Sequence, residues 1–333
     1  MIITRTPFRI SFFGGISDYP EWYKKHGGKV LSTTINKYCY ISLRRLPPYF
    51  KYKSVIRYTN REEVDSVFDI AHPSVKACLL YKNINDGVEI IHTSDIPARS
   101  GVGSSSAFTV GLLKSLNALQ GNIISRKSLA IEALHVEQKI IEEKVGSQDQ
   151  IACAFGGLNK LEFLKEGQDF SVMPITISME KLNFFQKNLM LFYTGFARNA
   201  PEIARTVIEN LDKKTASVNV LEDIVEDGIN ILNGRIDKFD GFGELLNESW
   251  EIKKSLADGV STDDIDRDYS LALRAGAIGG KLLGAGGGGF LLLFVRPELQ
   301  GRVRIELQHL LEVPFRFEFV GSHLIHYSEH DIY

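Results

Sequence analysis

Near the start of the chain, Phe8, Ile10 and Phe12 alternate with Arg9, Ser11 and Phe13, a period of two that predicts a strand ended by Gly14-Gly15. Tyr38, Tyr40 and Ser42 alternate in the same way with Cys39, Ile41 and Leu43, and Pro47-Pro48 breaks that run. Residues 88–91 predict another short strand. The period then changes. Phe108, Leu112, Leu113, Leu116 and Leu119 recur at helical spacing, with Gly121 just beyond the end. Ser125 is placed to cap a further helix with Leu129, Ala133, Val136, Ile140 and Ile141 on one face, closed by Gly146. Strands are expected over 158–163 and 189–193. From about Pro201 to Ile278 the pattern is mostly helical, and strands return over 290–295 and 315–320.

This distribution predicts an α+β fold, with strands dominating early and helices later. A chain of 333 residues is long for one compact core, so two domains are expected: 1–185, an N-terminal β-rich α/β domain, and 186–333, a C-terminal helix-rich α+β domain. With 39 basic against 41 acidic residues and a net charge of -2, nothing predicts a polyanionic partner, so no nucleic acid is expected. Cys39, Cys78 and Cys153 are too few and too widely spaced for a disulfide framework or a zinc site, and read as core thiols in a reducing compartment. The N-terminus lacks the pattern of a signal peptide, and the longest apolar run, near 290–295, falls far short of the ~20 residues that a bilayer needs. A cytoplasmic protein without a membrane partner is expected.

The richest chemistry lies in Pro97-Ala98-Arg99-Ser100-Gly101-Val102-Gly103-Ser104-Ser105-Ser106-Ala107, between a strand and a strong helix. Glycines let the backbone approach an anion, the helix start offers N–H groups and a positive dipole end, and serine hydroxyls can ligate a hard cation. A P-loop is excluded, because no Gly-x-x-x-x-Gly-Lys-Ser/Thr run occurs. The dinucleotide fingerprint is excluded too, because Ser106 stands where its third glycine belongs. A serine-capped turn is the plain alternative, and the clustering of two glycines and three serines favours a phosphate cradle. A second run, Lys281-Leu282-Leu283-Gly284-Ala285-Gly286-Gly287-Gly288-Gly289-Phe290, leads into a strand rather than a helix, so it is no Rossmann turn. A hinge and a close backbone approach to a ligand are equal readings of it.

Single residues are less decisive. Asp149, in Gly146-Ser147-Gln148-Asp149-Gln150, could cap a helix over 151–155. Glu137 could lie on a solvated helix face, paired with Lys144. Arg9, mid-strand, is either paired within the fold or aimed at an anion. Asp18 could be a local cap in its glycine turn, and Arg198 either holds a substrate anion or decorates a loop. Arg44 to Lys53, with Arg57 and Tyr58, is basic and aromatic. It reads as a solvated loop, with a nucleic-acid patch or a rim for a phosphorylated substrate as alternatives.

Taken together, these segments resemble the GHMP kinases, the family named for galactokinase, homoserine kinase, mevalonate kinase and phosphomevalonate kinase. Three motifs stand in family order over almost the whole chain: Thr6-Pro7-Phe8-Arg9 through Asp18, Pro97 through Ala107, and Gly284 through Gly289. Val102 replaces a leucine in the second. The branch it resembles is that of the D-glycero-D-manno-heptose 7-phosphate kinases, although Gly14-Gly15-Ile16-Ser17-Asp18 departs from the Gly-Gly-Gly-Thr-Asp frequent there. Gly15 and Ile16, where galactokinases have Glu and His, argue against galactose.

The resemblance implies a two-domain fold with the active site between the domains, and a cytoplasmic enzyme using ATP and Mg2+. The implied reaction takes the γ-phosphate to the anomeric hydroxyl of a sugar or sugar phosphate, with the heptose 7-phosphate giving the 1,7-bisphosphate. It implies Asp149 as catalytic base with Arg9 paired to it, and Ser105 and Glu137 as Mg2+ ligands. Pro97, Gly101, Gly103, Ser104, Ser105, Ser106 and Ala107 would hold the nucleotide, and Gly14, Gly15, Asp18, Arg198, Gly286 and Gly287 the substrate. Two alternatives are a GHMP kinase acting on another sugar or a non-sugar alcohol, and a non-catalytic nucleotide and sugar sensor.

Overall fold

The computed structural model describes residues 1–85, 87–98, 100–165, 169–195 and 200–328. The chain opens with two long antiparallel strands, β1 (Ile2–Phe13) and β2 (Gly28–Arg45), separated by helix α1 (Pro20–His26). Next come β3 (Ser54–Arg57), β4 (Arg61–Val64), α2 (Pro73–Tyr81) and β5 (Val88–Ser94). A helical stretch follows: α3 (Ser104–Leu119), α4 (Arg126–His135), a π-helical turn over Val136–Ile140, and α5 (Gln148–Phe155). After β6 (Leu158–Phe163), β7 (Phe170–Pro174), α6 (Met179–Lys187) and β8 (Leu189–Gly195) come the helices α7 (Ala200–Asn210), α8 (Thr215–Asn233), α9 (Asp240–Lys254) and α10 (Asp263–Ala275). The chain closes with β9 (Ala277–Leu282), β10 (Gly289–Val295), α11 (Gln300–Glu306), β11 (Leu311–Glu312), β12 (Phe317–Glu318) and β13 (His323–Tyr327).

The early strands build one large sheet, ordered β13-β1-β2-β5-β3-β4, with β6, β7 and β12 also attached through β2. The length of β2 makes this possible. One edge pairs with β1, and the other is shared by β6 at Gly28 to Thr33, β12 at Thr34 and Ile35, and β5 at Cys39 to Arg45. The second sheet runs β11-β8-β10-β9, with the hairpin β9–β10 built around the second glycine run. Strands early and helices late, as expected, give the α+β architecture. The last strands depart from a simple split, because β12 and β13 return to pair with β2 and β1.

Alternation in β1 predicts one buried face and one exposed face, yet every residue from Thr6 to Phe13 is buried. Helices α3 and α5, and also α8 and α9, pack on this strand. Its off-beat positions, Arg9 and Ser11, are therefore inside. Phe12 joins the two halves. Its ring lies 5.4 Å from both Phe185 of α6 and Phe242 of α9, spacings at which aromatic pairs attract beyond their buried area.

Two elements differ from expectation. The strand expected over 315–320 shrinks to Phe317–Glu318, because the Glu318 carboxylate accepts the N–H groups of Phe319 and Val320 and ends the ladder. The helix expected through Ile141 stays α-helical only to His135. The π turn that follows inserts a residue and rotates the register, turning Glu137 inward, where it is 1% exposed. Its expected place on a solvated face is corrected, and Lys144 approaches Glu21 instead. All three cysteines are buried and free. Among the described residues, no helix is long and apolar enough to cross a membrane.

Candidate active site

The phosphate cradle forms as a loop and helix start. Gly101 (φ 82°) and Gly103 (φ 77°) are both left-handed, a region glycine enters at little cost. Gly103 is the N-cap residue of α3 and supplies no side-chain cap, so the cap position at the positive end of this sixteen-residue helix carries no side chain. Ser100 closes the entry by donating its hydroxyl to Pro97 O at 2.7 Å.

Arg9 ties this loop to α5. Its Nε and Nη2 donate to Asp149 Oδ1 and Oδ2 at 2.7 and 2.8 Å, a two-pronged pair. Its Nη1 donates to Gly101 O at 2.6 Å, and its backbone N–H to Val102 O at 3.0 Å. Arg9 is 5% exposed in its side chain and Asp149 23%, so the carboxylate reaches solvent while its partner does not. Asp149 sits within the first turn of α5, and Ser147 holds the N-cap position expected of it. A Cβ on Gly103 would stand 3.2 Å from Arg9 Cγ and 3.3 Å from Asp149 Oδ2. The pair thus lies directly beside the start of α3.

Asp18 joins the same group. It is 2% exposed and accepts N–H groups from Ile16 at 3.0 Å and Gln148 at 3.2 Å, while its carbonyl accepts Ser147 N–H at 2.9 Å. It is thus a local cap, as the turn suggested, and also a tie to α5. Burial, and then the charge of Asp149, push its carboxyl up to about 6. The turn that carries it is strained. Ile16, a β-branched residue, has φ 92°, a conformation such side chains rarely adopt.

Glu137 stands behind the cradle. It accepts a hydrogen bond from Ser106 Oγ at 3.0 Å and another from Gln150 Nε2. The hydroxyl on Glu137 is therefore that of Ser106, whereas Ser105, expected as a Mg2+ ligand, is exposed at the start of α3. Helix geometry explains the difference, because only one of three consecutive residues faces inward at this point. Burial pushes the Glu137 carboxyl up to about 7, against the lowering effect of hydrogen bonds from Thr109, Gln150 and Ser106. Its Oε1 has no hydrogen-bond partner, and neither does the buried Oε1 of Gln150. Two orphaned buried oxygens beside a hydroxyl suit a hard cation such as Mg2+.

The remaining expected residues are placed differently. Gly14 packs against the Lys29 carbonyl, and Gly15 lies beside Gln148 and Ser11, both within the turn that carries Asp18. Gly286 packs on the Val260 backbone and Gly287 beside Ile203, with the Gly287 N–H donating to Val260 O at 3.1 Å. The ends of their loop make the close approach instead. A Cβ on Gly284 would stand 2.5 Å from Gly101 Cα, and one on Gly289 would stand 2.5 Å from Ser100 O. The glycine run is thus a backbone-on-backbone seat for the cradle, which settles neither a hinge nor a ligand contact. Arg198 lies outside the described residues. Arg44 and Arg57, at the ends of β2 and β3, share the single carboxylate of Glu89, while Tyr49 and Phe50 between them are exposed in a solvated loop.

Sequence reasoning named Ser106 only as a nucleotide residue and gave no role to Gln150, Lys253 or Lys281. A signal for Lys253 was present. It follows Phe242, Leu246 and Trp250 along the apolar stripe of α9, where a lysine is out of place.

Residues 72–157 match the family model described as the GHMP kinases N terminal domain, and residues 235–310 the one described as GHMP kinases C terminal. A D-glycero-alpha-D-manno-heptose 7-phosphate kinase of Campylobacter jejuni is 30% identical over 312 residues, covering 89% of this chain and 90% of its own. The bifunctional fucokinase/GDP-fucose pyrophosphorylase of Arabidopsis thaliana is 24% identical over 94% of this chain, which spans 31% of that larger protein. A solved D-glycero-D-manno-heptose 1-phosphate kinase from Bacteroides thetaiotaomicron superposes with a TM-score of 0.76 over 99% of this chain and 100% of its own, at 23% identity. The matched N-terminal model contains the cradle, Glu137 and Asp149, the C-terminal one contains the glycine seat, and the Campylobacter relative aligns along nearly both whole chains: this protein belongs to the GHMP kinase family.

Proposed function

We propose that this protein, an ATP-dependent sugar kinase of GHMP type, transfers the γ-phosphate to the anomeric hydroxyl of D-glycero-D-manno-heptose 7-phosphate. The observation that carries this reading is the Arg9–Asp149 pair set beside the start of α3, with Asp18 bound to the same turn of α5. A phosphate cradle and a partly exposed carboxylate thus share one small volume. The acceptor follows from the relatives, whose names carry a heptose phosphate.

Phosphoryl transfer needs positioning and charge neutralisation more than covalent help. The start of α3 orients the nucleotide phosphates through its positive end. Asp149 accepts the proton of the attacking hydroxyl, and Arg9 aims that carboxylate with two hydrogen bonds. Asp18 accepts a hydrogen bond from a sugar hydroxyl. Glu137, with Ser106 or Ser105, would hold Mg2+, which would supply charge neutralisation to the phosphates. The anomeric hydroxyl is more acidic than an ordinary alcohol, so a modest base suffices.

The test is a panel of acceptors, phosphorylated and free sugars beside mevalonate and homoserine, read by ADP release and by NMR of the product. A signal at the anomeric carbon of the heptose phosphate is the expected result, and turnover confined to a non-sugar alcohol would overturn the reading. Asp149→Asn should bind nucleotide almost as well as the parent while kcat falls by about 10²–10⁴, the usual contribution of general-base catalysis. Full turnover in that variant would remove Asp149 from the base role.

A further inference from the structure

Two lysines are buried where the cradle meets the glycine seat. Lys253 of α9 is 7% exposed and Lys281 of β9 is 4% exposed. Among the described residues neither pairs with a carboxylate. Lys253 Nζ donates to Leu282 O at 3.2 Å and to Gly284 O, the two carbonyls that bracket the start of the glycine loop. Lys281 Nζ donates to Phe12 O at 2.8 Å, which ties the hairpin to the end of β1.

The contact they hold is the one that seats the cradle. Gly284 abuts Gly101, and the two carbonyls at this junction are gripped from opposite sides: Gly101 O by Arg9 and Gly284 O by Lys253. Any shift of the glycine loop moves the backbone of Gly101, which is part of the phosphate cradle. The charged groups that face Lys253 are Arg9 from β1, Lys281 from β9 and Asp18 from the turn after β1, while the Trp250 ring on α9 lies 5.8 Å from its Nζ. Two buried lysines therefore meet Arg9 at a dry junction in which Asp149 is taken up by Arg9, so among the described residues neither lysine has an ion-pair partner there. A proton gained by one of them beside an anion cradle is compensated when a phosphate arrives.

We propose that Lys253 is a positioning residue that couples occupancy of the phosphate cradle to the seating of the glycine loop on Gly101. The inference rests on the placement of the nucleotide phosphates over 101–107. Burial, and then the Arg9 charge, draw Lys253 down to about 7, so much of it is neutral in the empty protein at physiological pH. A neutral amine has two N–H donors, and two carbonyls accept them. An incoming phosphate favours the ammonium, whose added charge strengthens both existing bonds and tightens the loop on the cradle. Nucleotide binding should therefore be accompanied by proton uptake.

The test is calorimetric titration of the full chain with ADP at about pH 8, where the nucleotide's own phosphates are ionised, in two buffers of different ionisation enthalpy. The parent should take up a fraction of a proton. Lys253→Met should lose that uptake and raise the KM for ATP about tenfold, the loss expected of a charge-assisted hydrogen bond, with the KM for the acceptor changed much less. Lys253→Arg, always charged, should restore most of the ATP affinity without restoring proton uptake. Methionine of similar shape in place of an unpaired buried lysine is expected to leave the melting temperature unchanged or raised, which separates coupling from misfolding. Unchanged uptake, or an unchanged KM for ATP, in Lys253→Met would overturn the proposal. A parent that fails to bind ADP would instead overturn the placement of the nucleotide.

Discussion

Ile16 offers a sharp test of stored strain. Its φ of 92° places a β-branched residue in left-handed backbone, while its side chain is 7% exposed. That conformation costs an L-residue roughly 1–2 kcal/mol, and more where the side chain is branched. Ile16→Ala keeps a Cβ, and so keeps the strain, while losing most of the buried side chain, a change that costs about 2–5 kcal/mol in cores. Ile16→Gly loses the same packing but releases the strain, against about 0.5–1 kcal/mol of extra freedom in the unfolded chain. The balance favours glycine over alanine here by ~0.5–1 kcal/mol, the reverse of their usual order. Urea denaturation of the two variants side by side reads this directly, provided that the m-value is shared. An alanine variant as stable as the glycine one, or more so, would refute the claim that Ile16 is strained. The turn also positions the proposed acceptor ligand, because Ile16 N–H donates to Asp18 Oδ1. Ile16→Gly should accordingly raise the KM for the acceptor more than that for ATP.

Two further outcomes follow from the site. Ser106→Ala, which removes the hydroxyl on Glu137, should raise the Mg2+ concentration for half-maximal rate about tenfold, and Ser105→Ala should raise it less, as read in a metal titration; the opposite order would return the metal role to Ser105. Asp18, raised to about 6 by burial and proposed to hold an acceptor hydroxyl, is a full hydrogen-bond acceptor when ionised, whereas protonation turns one of its oxygens into a donor. Its ionised form dominates above that pH, so kcat/KM for the acceptor should fall about tenfold per unit below it, and Asp18→Asn should lack this acid limb.

The helix after the serines was legible because Phe108, Leu112 and Leu116 form one apolar stripe, and α3 duly runs Ser104–Leu119. The start of β1 and the length of β2 were less so. The alternation in β1 marks a half-buried strand, yet both of its faces are covered, and the polar Arg9 and Ser11 are inside for that reason. Strand β12 was expected, though too long, while β13 was invisible because an edge pairing depends on a partner hundreds of residues away. Glu137 was misplaced for a local reason that no hydrophobic pattern signals, a π turn of five residues.

The amino-acid sequence alone determined the chemistry that is carried by neighbours in the chain: a glycine-serine cradle opening a helix, an α+β order of elements, and the motifs that resemble one kinase family. Local rules suffice there, because glycine's freedom, helix capping and apolar periodicity act within a few residues. Only the tertiary structure decided which residues meet. It gave the Arg9–Asp149 pairing that the resemblance implied its two-pronged geometry, put the Ser106 hydroxyl on Glu137, and seated Gly284 on Gly101 beneath two buried lysines. These are close contacts between distant segments, and their energies come from desolvation and hydrogen-bond geometry that exist only once the sheet and helices have packed.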